Sequence, residues 1–515
     1  MPVLARRPVL ALAVLLQAAG PSFALTADEV WAEAQRLSRE ANAEITATGR
    51  RQGDRLILTG VAVPLGPAGD RVLLRLDRVD LLEQPDGSVS VVLPPEFPVT
   101  LDLEATDPDF DFLVLAASAP GFSLVISGLG ETADFALTAP SLAVSLDKVA
   151  PAIEVNERLD LNLAVADLAV SHKMDLTAVT KVAESSLRLG TLHGDVLVQV
   201  GDGVEFAEMS LDLSGVTGGF SGLVPPSAFA AEQAMSPDAN PLPVLLGVLR
   251  DGLAMNGALA FDQFALRGSI EEGDTLGTVE VSSESGRAEG RLDATGGGYD
   301  VSLGKTVTMT RGMPDLEFSE VAMSVAGIGY GLSFGIGDVN QPQEARLTAH
   351  LTDLEISPEV WAKEDPSGVL GSEPLSYALD IAARYSLQPE MLAPGWTPDP
   401  ARFPPVDLVD VTLSRLMFKG AGIAVEGDGA LTFDESDLTT FDGLPAPEGL
   451  VSFKATGVNA LIERLSSAGM IPDEDLTGLR MGLMFIAKAG ADPDSLVSQI
   501  EFRDHALFLN GIKLR

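Results

Sequence analysis

Apolar residues recur at every second position through most of this chain. In the clearest stretch Leu375, Tyr377, Leu379, Ile381 and Ala383 fall on one side, and Ser376, Asp380 and Arg384 on the other. Successive side chains of a strand point to opposite faces, so this rhythm specifies a sheet with one apolar face. The expected fold is therefore mainly β: an elongated, curved antiparallel sheet, rich in hairpins, with a few covering helices. The helices expected are one near the N-terminus and a pair near the C-terminus.

Residues 1–24 have the layout of a secretory signal. Arg6 and Arg7 form the positive end, Val9 to Ala19 is an apolar run, and Ser22-Phe23-Ala24 places small residues where a signal peptidase reads. Cleavage is expected between Ala24 and Leu25, and the export signal points to the periplasm. No cysteine follows the run, which argues against a lipid-modified anchor. No later segment reaches membrane-spanning length, since Pro243 to Leu259 is broken by Arg250, Asp251 and Asn256. The absence of cysteine leaves burial and sheet hydrogen bonding to stabilise the chain. With a formal charge of −40 the chain is a poor partner for nucleic acid, whose phosphates require Lys and Arg. The same charge disfavours electrostatic docking of the whole chain on anionic lipid.

The expected organisation is a signal over 1–24, an N-terminal β lobe over 25–225, a Pro-rich helical connector over 226–255, and a C-terminal β lobe over 256–515. The first lobe opens with a helix from about Ala27 to Ala43, in which Val30, Ala34, Leu37 and Ala41 share a face and Thr26 can cap. Turn chemistry marks hairpins at Gln84-Pro85-Asp86-Gly87, Gly201-Asp202-Gly203, Ser285-Gly286 and Gly296-Gly297-Gly298. Three strands share a style in which Asp stands beside Leu: Leu161–Leu168, Leu351–Ile356 and Val406–Val411. Near the end Val458, Leu461, Ile462 and Leu465 give a helical stripe, stopped by Gly469 and Pro472. A second helix carries Leu476, Leu479, Leu483 and Ile486. Both read as lids on the apolar face of the sheet.

Catalytic patterns fail in their contexts. Gly331-Leu332-Ser333-Phe334-Gly335 has nucleophile-elbow spacing, but it sits in a strand-like run with no helix pattern after it. Gly304-Lys305-Thr306 lacks the first glycine of a phosphate loop, which would fall on Tyr299. Ser145 and Lys148 have the spacing of a serine–lysine acyl transferase, yet they lie in an alternating segment. His172, His193, His350 and His505 have no partners at metal-ligand spacing. Asp107, Asp109 and Asp111 begin like a calcium loop, but Phe112 replaces its glycine and Ser118 its glutamate. No catalytic, cofactor or metal residues are expected.

The C-terminal third carries a resemblance. Its order is the strand Gly429-Ala430-Leu431-Thr432-Phe433-Asp434, a turn at Gly443 and Pro445, the strand Gly449-Leu450-Val451-Ser452-Phe453, the two helices, and the closing Leu507-Phe508-Leu509-Asn510-Gly511-Ile512-Lys513-Leu514. Together with the leading signal and acidic body, this resembles the alphaproteobacterial domain of unknown function 2125. The strand style is similar, more distantly, to AsmA-like envelope proteins. The resemblance carries over no functional residues. The function it implies, together with the one-sided alternation, is non-catalytic: an exported protein binding a lipid or other apolar ligand and serving the cell envelope, with envelope proteins as partners. The alternatives are an interaction module with a closed core, and, more remotely, an exported hydrolase using Ser333.

Overall fold

The alternating segments fold as long antiparallel strands. In the computed structural model the described residues are 24–40, 44–65, 72–102, 112–128, 132–150, 158–175, 181–200, 205–228, 242–272, 275–313, 317–337, 341–392 and 406–515. The signal residues 1–23, Ala41, the acidic triplet at 107–111, the turn at 201–203 and residues 229–241 of the expected connector lie outside them. Every pairing recorded with its register is antiparallel, in keeping with the mainly β expectation. Several strands are far longer than the usual five or six residues. Lys181–Val200 and Glu205–Val224, each of 20 residues, form one hairpin.

The chain divides into two compact units, one of residues 1–153 with 166–177, the other of 154–165 with 178–515. In the first, Ala27–Glu40 is the expected helix. Thr26 and Glu29 cap it reciprocally: Glu29 N donates to Thr26 Oγ1 at 3.3 Å, and Thr26 N to Glu29 Oε2 at 2.9 Å. The helix lays Ala27 and Val30 on a core of Leu56, Leu58, Val61, Val79, Leu81 and Val89, so this apolar face is covered. The turn at 84–87 forms as its residues predict. Gly87 takes φ 85°, and Asp86 Oδ1 accepts from Ser88 N at 3.0 Å.

In the second unit the strands share a feature that alternation alone does not announce. Arg267-side and Phe220-side halves of the sheet are joined by a crease, where the chain skips one beat of its rhythm on six passes. Residues of one face step by two, then by three, then by two again: Leu213 to Val216, Phe261 to Phe264, Ser283 to Gly286, Leu303 to Thr306, Val325 to Ile328, Leu351 to Leu354. Phe261 and Phe264 show the consequence. Three residues apart, they would face opposite ways in a regular strand, yet their ring centroids lie 6.3 Å apart. Single backbone bonds stitch the crease, such as Asp262 N to Ser214 O and Gly304 N to Ser285 O, both 2.9 Å. Gly215 turns through it at φ 64° and Asp353 at φ 50°. The first unit repeats the device, from Leu58 to Val61 across Gly60 at φ 61° and from Leu76 to Val79.

The crease corrects one expectation. Ser285-Gly286 is not a hairpin turn: Thr275–Ser283 and Gly286–Asp293 pair side by side with Gln263–Glu272 and Ala254–Phe261, which follow each other along one line. Its glycine is needed for space, because a Cβ on Gly286 would lie 2.1 Å from the Phe261 ring. The reversal at 294–295 forms just before Gly296-Gly297-Gly298, between Gly286–Asp293 and Gly296–Leu303.

At the C-terminal end both expected helices form, Val458–Ser467 and Asp473–Ile486. The first buries Ile462. The second does not lie on the sheet as a lid: only Leu476 and Leu483 are half-buried on it, and most of its apolar side chains face solvent.

Candidate functional site

Cross-strand register identifies which side chains share a face, because directly paired residues point the same way. On one side of the second unit Phe220, Gly257, Gly290, Tyr299 and Leu332 are successive partners across five strands. One step along, Gly218, Leu259, Ala288, Val301 and Tyr330 form the parallel row. Phe220, Leu259, Tyr299, Val301 and Tyr330 remain 41–48% exposed. Tyr299 and Tyr330 pack with ring centroids 5.7 Å apart. Hydrogen bonding between the two phenols, the larger influence, and burial both raise the Tyr299 pKa, so it stays a neutral phenol.

One end of this apolar face is closed. The helix Leu242–Arg250 buries Leu246, Val248 and Leu249 with Ile336, Tyr385 and Leu387, and Met255, Leu292, Phe334 and Ala345 pack against that cluster. Tyr385 OH donates to Gly335 O at 2.6 Å there. The remainder of the face, from Phe220 to Tyr330, has no helix over it among the described residues.

Glycines on the apolar rows divide into two kinds. A Cβ on Gly297 would meet Leu292 and Phe334 at 2.9 Å, so packing requires glycine there. A Cβ on Gly290 would meet nothing closer than 3.9 Å, and on Gly257 nothing closer than 3.5 Å, and neither has a positive φ. Those two leave a shallow lane between Phe220 and Tyr299.

The opposite face is polar. There Asn256, Arg291, Gly298, Ser333 and Arg346 are successive partners, and with Asp300 they help to line a hollow of about 820 Å³. Arg346 is held by Asp380 at 2.6 Å, which lowers the Asp380 pKa chiefly through that hydrogen bond. Across the crease a hollow of about 500 Å³ includes His193. His193 lies between Asp212 at 2.7 Å and Asp195 at 2.8 Å, and Arg267 joins Asp212 at 2.8 Å. The bond to Asp212 is the largest cause of a raised His193 pKa.

The residues singled out for chemistry are not assembled into it. Ser333 stands mid-strand in Gly327–Gly335, opposite Arg346. His350 shares its face but is paired with Gly329, four residues along, roughly 13 Å at the rise of a strand. Lys305 lies at the crease, 3.9 Å from Glu284. Lys148 sits over the Phe112 ring at 5.4 Å, in the same strand as Ser145. His505 contacts Asp437 at 3.0 Å, and His172 stacks obliquely near Phe135. Among the described residues no group of three or more His, Asp or Glu side chains could hold a metal. The calcium-like Asp107, Asp109 and Asp111 lie outside those residues. At the expected cleavage point, Leu25 is buried in the core of the first unit and its N donates to Gly87 O at 3.0 Å.

A family described as "Uncharacterized protein conserved in bacteria (DUF2125)" matches residues 259–515. The chain belongs to this family over that span. The DUF2125 region begins inside the strand Ala254–Phe261 and takes in most of the creased sheet of the second unit, the exposed aromatic rows from Leu259 onward, and both C-terminal helices. Phe220 and Gly257, at one border of the lane, precede it. No curated protein and no solved structure matches the chain.

The crease is what sequence reading missed, although its signal was present. Of the three strands in which Asp stands beside Leu, one marks it, with Asp353 at φ 50°, and another has the same left-handed backbone at Asp167, φ 53°. The third, at Asp407 to Asp410, falls where the register of Leu375–Ser386 slips between Arg384 and Tyr385.

Proposed function

We propose that this DUF2125 chain is an exported, non-catalytic protein that holds a lipid or another apolar ligand on the open part of its apolar sheet face, in the service of the bacterial envelope. The observation carrying this reading is the pair of rows from Phe220 to Tyr330, where five large apolar side chains stay 41–48% exposed on one face. Left in water, such contiguous apolar surface is unfavourable by about 25 cal/mol per Å². Exposed patches of this kind mark ligand or partner sites. Export is supported by the signal layout of residues 1–24 and by a core that begins at Leu25. Among the described residues no helix is long and apolar enough to cross a membrane. The alternative of a closed core suits the first unit, where the helix Ala27–Glu40 covers the face, better than the second.

The test is extraction of the protein purified from its own envelope, followed by mass spectrometry, with binding of a fluorescent acyl probe in parallel. Co-purifying lipid and saturable probe binding are expected, with binding weakened about tenfold or more by Tyr299→Asp. Recovery of no lipid together with no probe binding would reject the reading.

A further inference from the structure

The two most exposed large apolar side chains of the described residues, Met484 and Met481, are on a helix and not on the sheet. Met481, Met484, Phe485 and Ile486, all on the helix Asp473–Ile486, and Ile512 are each more than half exposed. They are held close together. Asn510 donates from Nδ2 to Ile486 O at 2.9 Å, Lys488 Nζ donates to Asn510 O at 2.6 Å, and Ile512 follows two residues on in the strand Ile512–Lys513. The last turn of this helix is apolar on every side, which a helix resting on its own sheet would not need.

The charge around this patch reverses the balance of the chain. Acidic residues outnumber basic ones 74 to 34 overall. Yet residues 476–490 and 506–515 contain Arg480, Lys488, Lys513 and Arg515 and no Asp or Glu. Glu463 approaches Arg480 at 3.8 Å, and Asp442 pairs with Arg515 at 3.1 Å, so Lys488 and Lys513 are the cations with no ion pair among the described residues. The acidic start of the helix, Asp473 to Asp475, is about 15 Å from Phe485 along its axis. That distance exceeds the screening length of about 10 Å in ordinary buffer. The net charge of −40 therefore repels an anionic surface from afar but does not govern the few ångströms around Phe485.

We infer that this patch is a membrane-docking surface: Met481, Met484, Phe485, Ile486 and Ile512 enter the headgroup region of an anionic bilayer, and Arg480, Lys488 and Lys513 meet its phosphates. Apolar side chains with a cationic rim are the composition that peripheral helices use at such interfaces. A second copy of this chain fits less well, since like-charged rims would then oppose each other. The inference stands apart from the apolar sheet face, because docking needs no ligand there.

The test is co-sedimentation of the full chain with vesicles of phosphatidylcholine alone and of equal parts phosphatidylcholine and phosphatidylglycerol. Binding to the mixed vesicles is expected, falling as salt is raised. Met484→Asp with Phe485→Asp should lower it by about tenfold or more. Arg480→Gln with Lys513→Gln should lower it about fivefold per charge on the mixed vesicles only. Both pairs are exposed, so circular dichroism and urea midpoint should match the native chain. A native chain that stays in the supernatant with both vesicles overturns the inference. So does binding that the Asp pair leaves unchanged, or a native dimer that the Asp pair converts to monomer.

Discussion

Asp80 is the most heavily committed carboxylate of the first unit. It is 5% exposed, and it takes Arg78 at 2.7 Å and Arg55 at 2.8 Å. The hydrogen bond from Arg78 is the largest cause that lowers its pKa, opposed by burial. A carboxylate whose folded pKa is depressed stabilises the fold fully above its ordinary value near 4, and that contribution is lost as pH falls through the folded pKa. Asp80→Asn should therefore cost about 1–3 kcal/mol at neutral pH, the worth of bonds to a charged group. Urea unfolding at pH 7 and at pH 3 checks this: the gap between native and variant should narrow at the lower pH. The sequence shows Arg78 two residues from Asp80 on the same strand, but not Arg55, which reaches it only once Arg55–Leu65 and Val72–Glu83 have paired.

Among elements, the helices and the ordinary hairpins were legible because their signals are local. Thr26 caps, Gly469 and Pro472 stop, and Asp86-Gly87 turns, each within a few residues. The crease is different: its signal is one missing beat per strand, and only the alignment of many strands gives it meaning. Gly215 tests it. A Cβ there would lie 2.0 Å from Asp262 Oδ2, at φ 64°. Gly215→Ala should destabilise by about 1–3 kcal/mol. Gly219→Ala, four residues along the same strand at ordinary φ and with nothing nearer than 3.7 Å, should be neutral or mildly stabilising. Equal losses at both positions, by urea midpoint, would mean that the crease imposes no special conformation. The same limit explains the second C-terminal helix, whose stripe fits a lid and a free surface equally well until its neighbours are known.

For the chain as a whole, the one-sided alternation forecast the apolar face, while its covering could not be read. Whether Phe220 and Tyr299 are buried depends on where the helix Leu242–Arg250 comes to rest, and the sequence gives that helix no address. The charge of −40 acts at this scale too. Self-repulsion weakens a folded chain and salt screens it, so raising ionic strength from about 0.01 M to about 0.15 M, which shortens the screening length from about 30 Å to about 8 Å, should raise the thermal midpoint. A falling midpoint would indicate that attractive pairs such as Arg346–Asp380 outweigh the repulsion.

The crease also dictates how such a chain can change length. Because the passes from Leu213 to Leu354 change phase on the same line, losing one residue from Asp262-Gln263 while the neighbours keep the crease would turn the whole of one half-strand inside out, setting Phe264 and Leu266 beside Asp212 and carrying Arg267 to the apolar face. Insertions and deletions should thus be tolerated singly only in the turns between strands. Within a strand they should survive in twos.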